Sequence, residues 1–413
     1  MFDYEKQHLD YIRSTAGECT VLLKSDGHFP LKEAGKIALY GNGIRHTIKG
    51  GTGSGEVNSR FSVNVEEGMK KAGFEITSDM WLNNYDKIRE QAKKTFARSL
   101  KTEAKANHEN QIFYALGRIM PEPEYDLPLD GESDTAVYVL SRESGEGMDR
   151  KPIKGDVKLT DTEVRDIHKL DETYANFMLV LNTGGVVDLS PVKDISNILV
   201  LSQLGVINGD ALADLLLGRL YPSGKLTTTW TAWEDYQTIG SFGETDDTCY
   251  KEGIYVGYRY FDSAGKKPLF PFGYGLSYTT FSISPVNISV NKNIIHVEAR
   301  VINTGNSSGK EVVQVYVSCP AGELDKVYQD LAAYVKTSEL KPGEEEIVTA
   351  SFALDELASY NRKKAAYVLE KGNYLVRIGN SSADTGIAAV VTLDETVVTM
   401  QVKNVLGDRK SVV

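Results

Sequence analysis

The sequence is poor in the residues that build disulfide and metal frameworks. Its 413 residues include three cysteines, Cys19, Cys249 and Cys319, and six histidines. The cysteines are odd in number and lie far apart, so neither a disulfide framework nor a zinc cluster is expected. The histidines are scattered without the spacing of metal ligands. We therefore expect no metal site.

Basic residues and long apolar runs are also scarce. Lys and Arg number 46 against 57 Asp and Glu, a net charge of −11, which argues against binding to nucleic acid or to anionic membranes. No apolar run approaches the ~20 residues of a transmembrane helix. The opening residues, Met-Phe-Asp-Tyr-Glu-Lys, lack the basic-then-apolar order of a signal peptide. These absences predict a cytoplasmic protein with no nucleic-acid or membrane partner.

The alternation of apolar segments predicts an α/β part followed by an all-β part. Strand patterns alternate with helix patterns over residues 19–230, which is typical of a mostly parallel sheet flanked by helices. Short strands at regular spacing over 282–396 indicate a two-sheet sandwich. We divide the chain into residues 1–235, a linker rich in aromatic residues and glycine at 236–281, residues 282–400, and a tail at 401–413.

One acidic loop is a candidate for catalysis. Thr135–Leu140 reads as a buried strand, and the loop Ser141–Arg150 follows it. Glycines stand on both sides of Glu146, so nothing bulky crowds its carboxylate. Ligands of open α/β sheets bind just past the carboxyl ends of the strands, where Glu146 is predicted to lie. The alternative is a solvated acidic loop without a function, as most glutamates are exposed.

A second loop, Lys49–Asn58, is rich in glycine and follows the predicted strand Lys36–Tyr40. It lacks the Lys-Ser/Thr ending of a P-loop and the G-x-G-x-x-G spacing of a dinucleotide fold, so both of those interpretations are weak. The alternative is a flexible turn before an amphipathic helix predicted at 61–73.

The segment Ser144–Leu159, SGEGMDRKPIKGDVKL, resembles the acid/base segment of bacterial β-glucosidases of glycoside hydrolase family 3. The resemblance implies that Glu146 is the general acid/base. The glycine-rich loop is similar to a family loop that lines the sugar site, which implies that Ser54 faces the substrate with Thr52 close by. No cofactor is implied. The sandwich, with its LKPGEEEIV and KGNYLVRIGNSS segments, resembles the family's fibronectin type III-like domain.

Ser78-Asp79-Met80-Trp81 imitates another motif of this family. The family's nucleophile is an Asp in a Ser-Asp-Trp sequence on a (β/α) barrel domain. Here a methionine intervenes, and the segment lies inside the predicted sheet domain. We interpret Asp79 as a loop residue and not as the nucleophile.

The resemblance extends over nearly the whole chain, yet the catalytic barrel of the family is absent from it. The chain therefore resembles the front part of a permuted member in which the barrel comes last. Its end from Asp408 resembles a translated sequencing-library adapter. The resemblance implies an enzyme that hydrolyses terminal β-D-glucosidic bonds with retention, and that is inactive without the barrel. The alternative hypothesis is a non-catalytic carbohydrate-binding or scaffold protein.

Overall fold

A computed structural model describes residues 2–144, 146, 149–236 and 250–405. These residues form two compact units. The first contains the described residues up to 226 together with 230–236 and 275–278, and the second contains 227–229, 250–274 and 279–405. Much of the predicted linker, and the tail from residue 406 with its proposed adapter sequence, lie outside the described residues. The domain boundaries drawn from the sequence stay a prediction.

The first unit is built on a six-stranded sheet. Its strands are β1 (Val21–Lys24), β2 (Lys36–Tyr40), β3 (Glu75–Ile76), β4 (Thr135–Arg142), β5 (Asn176–Thr183) and β6 (Ile198–Val200). They lie in the order β1-β6-β5-β4-β2-β3. All neighbouring pairs are parallel except β1 with β6. The predicted α/β part with a mostly parallel sheet is confirmed.

The central strands of this sheet are covered on both faces. Every residue of β4 is buried, as are the seven residues of β5 after Asn176. A parallel sheet needs helical crossovers that cover both faces, so its strands are continuously apolar and do not alternate. The helices of this unit are α1 (Asp3–Thr15), α2 (Val65–Ala72), α3 (Asp79–Ala106), α4 (Gln111–Ala115), α5 (Asp161–Thr173), α6 (Asn208–Leu216) and α7 (Trp233–Tyr236).

Capping residues set the ends of two helices. The side chain of Thr160 accepts a hydrogen bond from the Glu163 backbone N–H, and the Glu163 carboxylate accepts one from the Thr160 backbone N–H, so that the two residues form a capping box at the start of α5. The predicted helix at 61–73 is shorter, because Asn64 caps α2 so that the helix begins at Val65. It ends at Gly73, whose φ of 101° favours glycine.

The interpretation of Asp79 as a loop residue was wrong. Asp79 is the first residue of the 28-residue helix α3. An acidic residue in the first turn is stabilised by the partial positive charge of a helix N-terminus. The Ser78 hydroxyl contacts the Leu39 backbone on β2, which anchors the start of the helix against the sheet.

The second unit is an antiparallel sandwich after a short helix, α8 (Tyr258–Ser263). Its strands are β7 (Phe281–Asn291), β8 (Ile294–Asn303), β9 (Val312–Ser318), β10 (Asp330–Lys336), β11 (Glu345–Ala353), β12 (Ser359–Asn361), β13 (Ala366–Leu369), β14 (Gly372–Ser381), β15 (Asp384–Leu393) and β16 (Val397–Gln401). They form sheets ordered β10-β9-β14-β15, β11-β8-β7 and β12-β13-β16. Inward-facing residues of β8, β9, β11 and β14 share one apolar core. The predicted sandwich is confirmed.

Among the helices of residues 2–144, 146, 149–236 and 250–405, none has the length and apolar character of a membrane span. No group of three His, Cys, Asp or Glu side chains in the same residues converges as a metal site.

Candidate active site

The glycine-rich loop and the acidic loop leave the same edge of the sheet. The first follows β2 and the second follows β4, and these two strands are parallel neighbours, with Ala38 opposite Ala136. Because the carboxyl ends of parallel strands meet at one edge, residues distant in sequence are brought together there. The backbone N–H of Thr52 donates to the carbonyl oxygen of Ser144 at 3.2 Å, which ties the two loops together.

Ser54 and Glu146 are in direct contact at this edge. The backbone N–H of Ser54 donates to Glu146 Oε2 at 3.0 Å, and the Ser54 hydroxyl donates to the same oxygen. Both residues are exposed. Gly53 lies against Glu146 with φ of 73°, and a Cβ at this position would stand 2.7 Å from Glu146 Cβ. Only glycine lets the loop approach the carboxylate so closely.

The two hydrogen bonds from Ser54, first that of the hydroxyl and then that of the backbone N–H, lower the pKa of the Glu146 carboxyl. Donors to a carboxylate stabilise its charged form. In this arrangement the carboxyl group is therefore held ionised and accessible, ready to accept a proton.

The stems of the acidic loop are fastened to one residue, Asp156. Arg142 Nε donates to the Asp156 carbonyl oxygen at 2.8 Å, and Arg150 Nη2 donates to the same oxygen at 2.9 Å. The Asp156 carboxylate pairs with Arg150 Nε at 2.7 Å and accepts from the Lys151 backbone N–H at 2.6 Å. Both ends of the segment that carries Glu146 are thus held by the same short turn.

Buried charges lie beneath the loop. Arg142 makes two hydrogen bonds to the Glu163 carboxylate, at 2.6 and 2.8 Å. Glu122 is also buried and accepts hydrogen bonds from Tyr85 at 2.7 Å and from Asn42 at 2.8 Å. Burial, reinforced by the charge of Glu163 and opposed by Arg142, raises the pKa of Glu122 to about 6. A buried acid costs free energy when ionised unless it is paired.

Asn182, at the end of β5, holds the start of the glycine-rich loop. Its side-chain oxygen accepts from the Ile48 backbone N–H at 2.7 Å and from the Ser141 hydroxyl at 2.7 Å. Its amide nitrogen donates to the carbonyl oxygens of Ile48 and Ser202. One amide side chain therefore links the ends of β4, β5 and β6 to the residue before the glycine-rich loop.

The structure brings together two of the three residues predicted for the site, Ser54 and Glu146. Thr52 lies beside them, but its hydroxyl oxygen is buried and has no hydrogen-bond partner among the described residues. The glycines on both sides of Glu146 lie outside the described residues. The functional roles of all three residues stay predictions.

Sequence reasoning missed the supporting residues Arg142, Asp156 and Glu122. An arginine at the last position of an otherwise apolar buried strand was the available signal for the first of them. A charge at such a position must be paired.

Two family models match the chain. The model of the glycosyl hydrolase family 3 C-terminal domain matches residues 20–278. A model of a fibronectin type III-like domain matches residues 311–382.

Curated relatives and solved structures agree with these matches. The chain is 35% identical to β-glucosidase A of Butyrivibrio fibrisolvens over 97% of this chain and 53% of that protein. It is 31% identical to thermostable β-glucosidase B of Acetivibrio thermocellus, over 95% of this chain and 50% of the relative. The structure of β-glucosidase 3B from Thermotoga neapolitana in complex with α-D-glucose superposes with a TM-score of 0.79 at 35% identity, covering 96% of this chain and 55% of that one. The chain thus spans about half the length of the proteins that it resembles.

Proposed function

This chain belongs to glycoside hydrolase family 3, and we propose that it supplies the acid/base half of a retaining β-glucosidase site. The observation that carries the proposal is the contact of Ser54 with Glu146 at the carboxyl edge of the sheet. The contact presents one accessible carboxylate beside a hydroxyl that can both donate to and accept from a sugar. The proposed substrate class, β-glucosides, follows from the similarity to proteins named β-glucosidases.

In this proposal Glu146 acts first as an acid and then as a base. A retaining glycosidase flanks the bond with two carboxyl groups about 5–5.5 Å apart. Glu146 protonates the leaving oxygen while the second carboxylate attacks the sugar, and it then removes a proton from the attacking water. The second carboxylate comes from a barrel domain, the partner that the family resemblance implies. No cofactor takes part.

The lowered pKa of Glu146 sets a condition on this role. A general acid must carry its proton, and the hydrogen bonds from Ser54 oppose protonation. Burial against a barrel domain and a bound sugar removes water from the carboxyl group, which raises its pKa. If Ser54 turns its hydroxyl toward a sugar, with Thr52 next to it, Glu146 also loses a donor. Substrate binding thereby prepares the acid.

The test is Glu146→Gln in a longer protein in which a family barrel domain follows this chain. We expect kcat/KM on alkyl β-glucosides to fall about 10²–10⁴-fold, because glutamine cannot transfer the proton. Glu132→Gln, an exposed change in the same unit, is the matched control. Unchanged kinetics in Glu146→Gln would refute the role.

The isolated 413-residue chain is a second control. We expect it to hydrolyse an aryl β-glucoside no faster than a blank, because the nucleophile is missing. Turnover that disappears in Glu146→Ala would mean that a complete site lies within these residues.

The natural reading frame around this chain separates the enzyme from a non-catalytic carbohydrate-binding or scaffold protein. A continuation that encodes a barrel with a Ser-Asp-Trp motif supports the enzyme and the permuted order. A stop codon near Gly407 supports the alternative. We also propose that the protein is located in the cytoplasm.

A further inference from the structure

The turn that follows β2 lies directly against the end of β4, where the acidic loop begins. A Cβ at Gly41 would stand 2.4 Å from the carbonyl oxygen of Val139, and one at Gly43 would stand 2.3 Å from Ser141 Oγ. The Gly43 backbone N–H donates to the Val139 carbonyl oxygen at 2.9 Å. Because both glycines lack a side chain, the turn comes close enough for Asn42, between them, to reach the backbone of β4.

The buried side chain of Asn42 pairs with the backbone of Ser141 on both sides. Asn42 Oδ1 accepts from the Ser141 N–H at 2.7 Å, and Asn42 Nδ2 donates to the Ser141 carbonyl oxygen at 3.1 Å. Nδ2 also donates to Glu122 Oε2 at 2.8 Å, so both of its N–H groups are used. Asn42 therefore holds the first residue of the acidic loop, and Glu122 in turn holds Asn42.

Glu122 also reaches the far end of the segment that carries Glu146. Its backbone N–H donates to the carbonyl oxygen of Gly155 at 2.9 Å. Gly155 has a φ of 84°, and a Cβ there would stand 2.6 Å from the backbone nitrogen and oxygen of Glu122. The Tyr85 hydroxyl donates to the second oxygen of the Glu122 carboxyl group at 2.7 Å. Both ends of the Glu146 segment are thus connected to one buried residue.

These contacts define a role in the reaction that needs no contact with the reacting atoms. We propose that Asn42 and Glu122 are positioning residues of the reaction. They fix both ends of the segment that carries Glu146, and so set where its carboxyl group meets the glycosidic oxygen. The inference rests on the proposed function. A general acid works only within hydrogen-bond reach of its target, and a displacement of about 1 Å can cost about 100-fold in rate.

The variant that tests the inference is Asn42→Asp, in the longer protein in which a family barrel domain follows this chain. The substitution keeps the shape of the side chain but replaces the Nδ2 donor with an oxygen. That oxygen faces the Glu122 carboxylate and the Ser141 carbonyl oxygen. Acceptors that face one another repel, and two carboxylates do so most strongly. The acidic loop then loses its fixed start.

The measurement is the dependence of kcat/KM on the leaving group. Methyl β-glucoside has a poor leaving group that needs the proton, whereas dinitrophenolate leaves without it. For Asn42→Asp we expect kcat/KM to fall about 10–100-fold on methyl β-glucoside, and less than about threefold on the dinitrophenyl β-glucoside. Asn107→Asp, the same substitution at an exposed position after α3, is the matched control and should change neither value.

Equal losses on the two substrates would overturn the inference, because a general distortion of the site affects both reactions alike. If tryptophan fluorescence shows that Asn42→Asp does not fold, Asn42→Ser decides the outcome. This variant removes the amide without adding a charge, and we expect the same selective loss from it. Unfolding of both variants would assign Asn42 to folding and not to the reaction, which would also overturn the inference.

Glu146→Gln, assayed on the same two substrates, separates this inference from the proposed function. It should show the same selectivity, with a larger loss on methyl β-glucoside, because the acid itself is removed. Absence of that selectivity in Glu146→Gln would refute the proposed function. A selective Glu146→Gln beside an unselective Asn42→Asp would refute only the positioning role.

Discussion

Glu146 and Arg142 lie in the same loop region of the first unit, yet their surroundings are opposite. At the rim of the sheet, Glu146 is exposed and is held by Ser54. At the base of the same loop, Arg142 and Glu163 are 4% and 0% exposed and pair with each other. Glu146 accepts hydrogen bonds from Ser54. The Arg142 side chain donates to Glu163 and to backbone carbonyl oxygens.

This difference matches two requirements of a general acid. The carboxyl group must be accessible to a substrate, so it cannot be buried in its own unit. Its loop must still hold a defined position, because catalysis depends on geometry within fractions of an ångström. Buried ion pairs stabilise little against apolar substitutes, but their partners fix each other's position. The buried pair of Arg142 and Glu163 therefore fixes the position of the loop, and the exposed Glu146 carboxyl group provides the reactivity.

The largest expected effect comes from removing the buried ion pair of Arg142 and Glu163. Arg142→Met leaves Glu163 buried without its partner, and the free energy of unfolding should fall by about 3–5 kcal/mol. All three tryptophans of the chain lie in the first unit, so urea unfolding followed by their fluorescence reports on this unit. Arg98→Met, at an exposed position of α3, is the control and should change stability by less than about 0.5 kcal/mol. Equal effects of the two substitutions would contradict the assigned role.

A smaller effect concerns the protonation of Glu122, one of the buried carboxyl groups of the first unit. Glu122 has a pKa of about 6, raised from an ordinary 4.5. Between these values the folded state keeps a proton that the unfolded state has lost, so stability falls as pH rises through this window. The loss amounts to about 2 kcal/mol. Glu122→Gln cannot titrate and should lack this component.

Urea unfolding of both proteins at pH 4, 5, 6 and 7 measures it. The stability of the native protein relative to Glu122→Gln should decline from pH 4 to 7. A constant difference across these values would show that Glu122 does not titrate in this range.

The smallest effect on stability is expected at the exposed contact of Ser54 with Glu146. Ser54→Ala removes the hydroxyl donor, so the pKa of Glu146 should rise toward its ordinary value. Unfolding free energy should change by no more than about 0.5 kcal/mol, because both residues are exposed. A ¹³C NMR titration of the glutamate carboxyls measures the pKa, with Glu146→Gln to assign the signal. Ser59→Ala, directly after the same loop, should leave it unchanged, and an unmoved pKa in Ser54→Ala would disprove the contact.

The sequence alone determined the elements whose signals are local. Residues 36–40 and 135–140 read as strands because consecutive apolar residues favour burial on both faces. The capping box at Thr160 is likewise a pattern within four residues. Placing Glu146 past the end of β4 required only the strand and the loop after it. The start of α2 was misjudged because the Asn64 cap was overlooked, although that signal is also local.

The tertiary structure alone decided which of these elements meet. Ser54 and Glu146 are 92 residues apart, and their contact depends on β2 and β4 being neighbours in the sheet. Asp156 can hold the loop because β4 places Arg142 within hydrogen-bonding distance of the Asp156 carbonyl oxygen. Such contacts arise from strand order and helix packing, which are set by burial summed over the whole unit and not by any short pattern of residues.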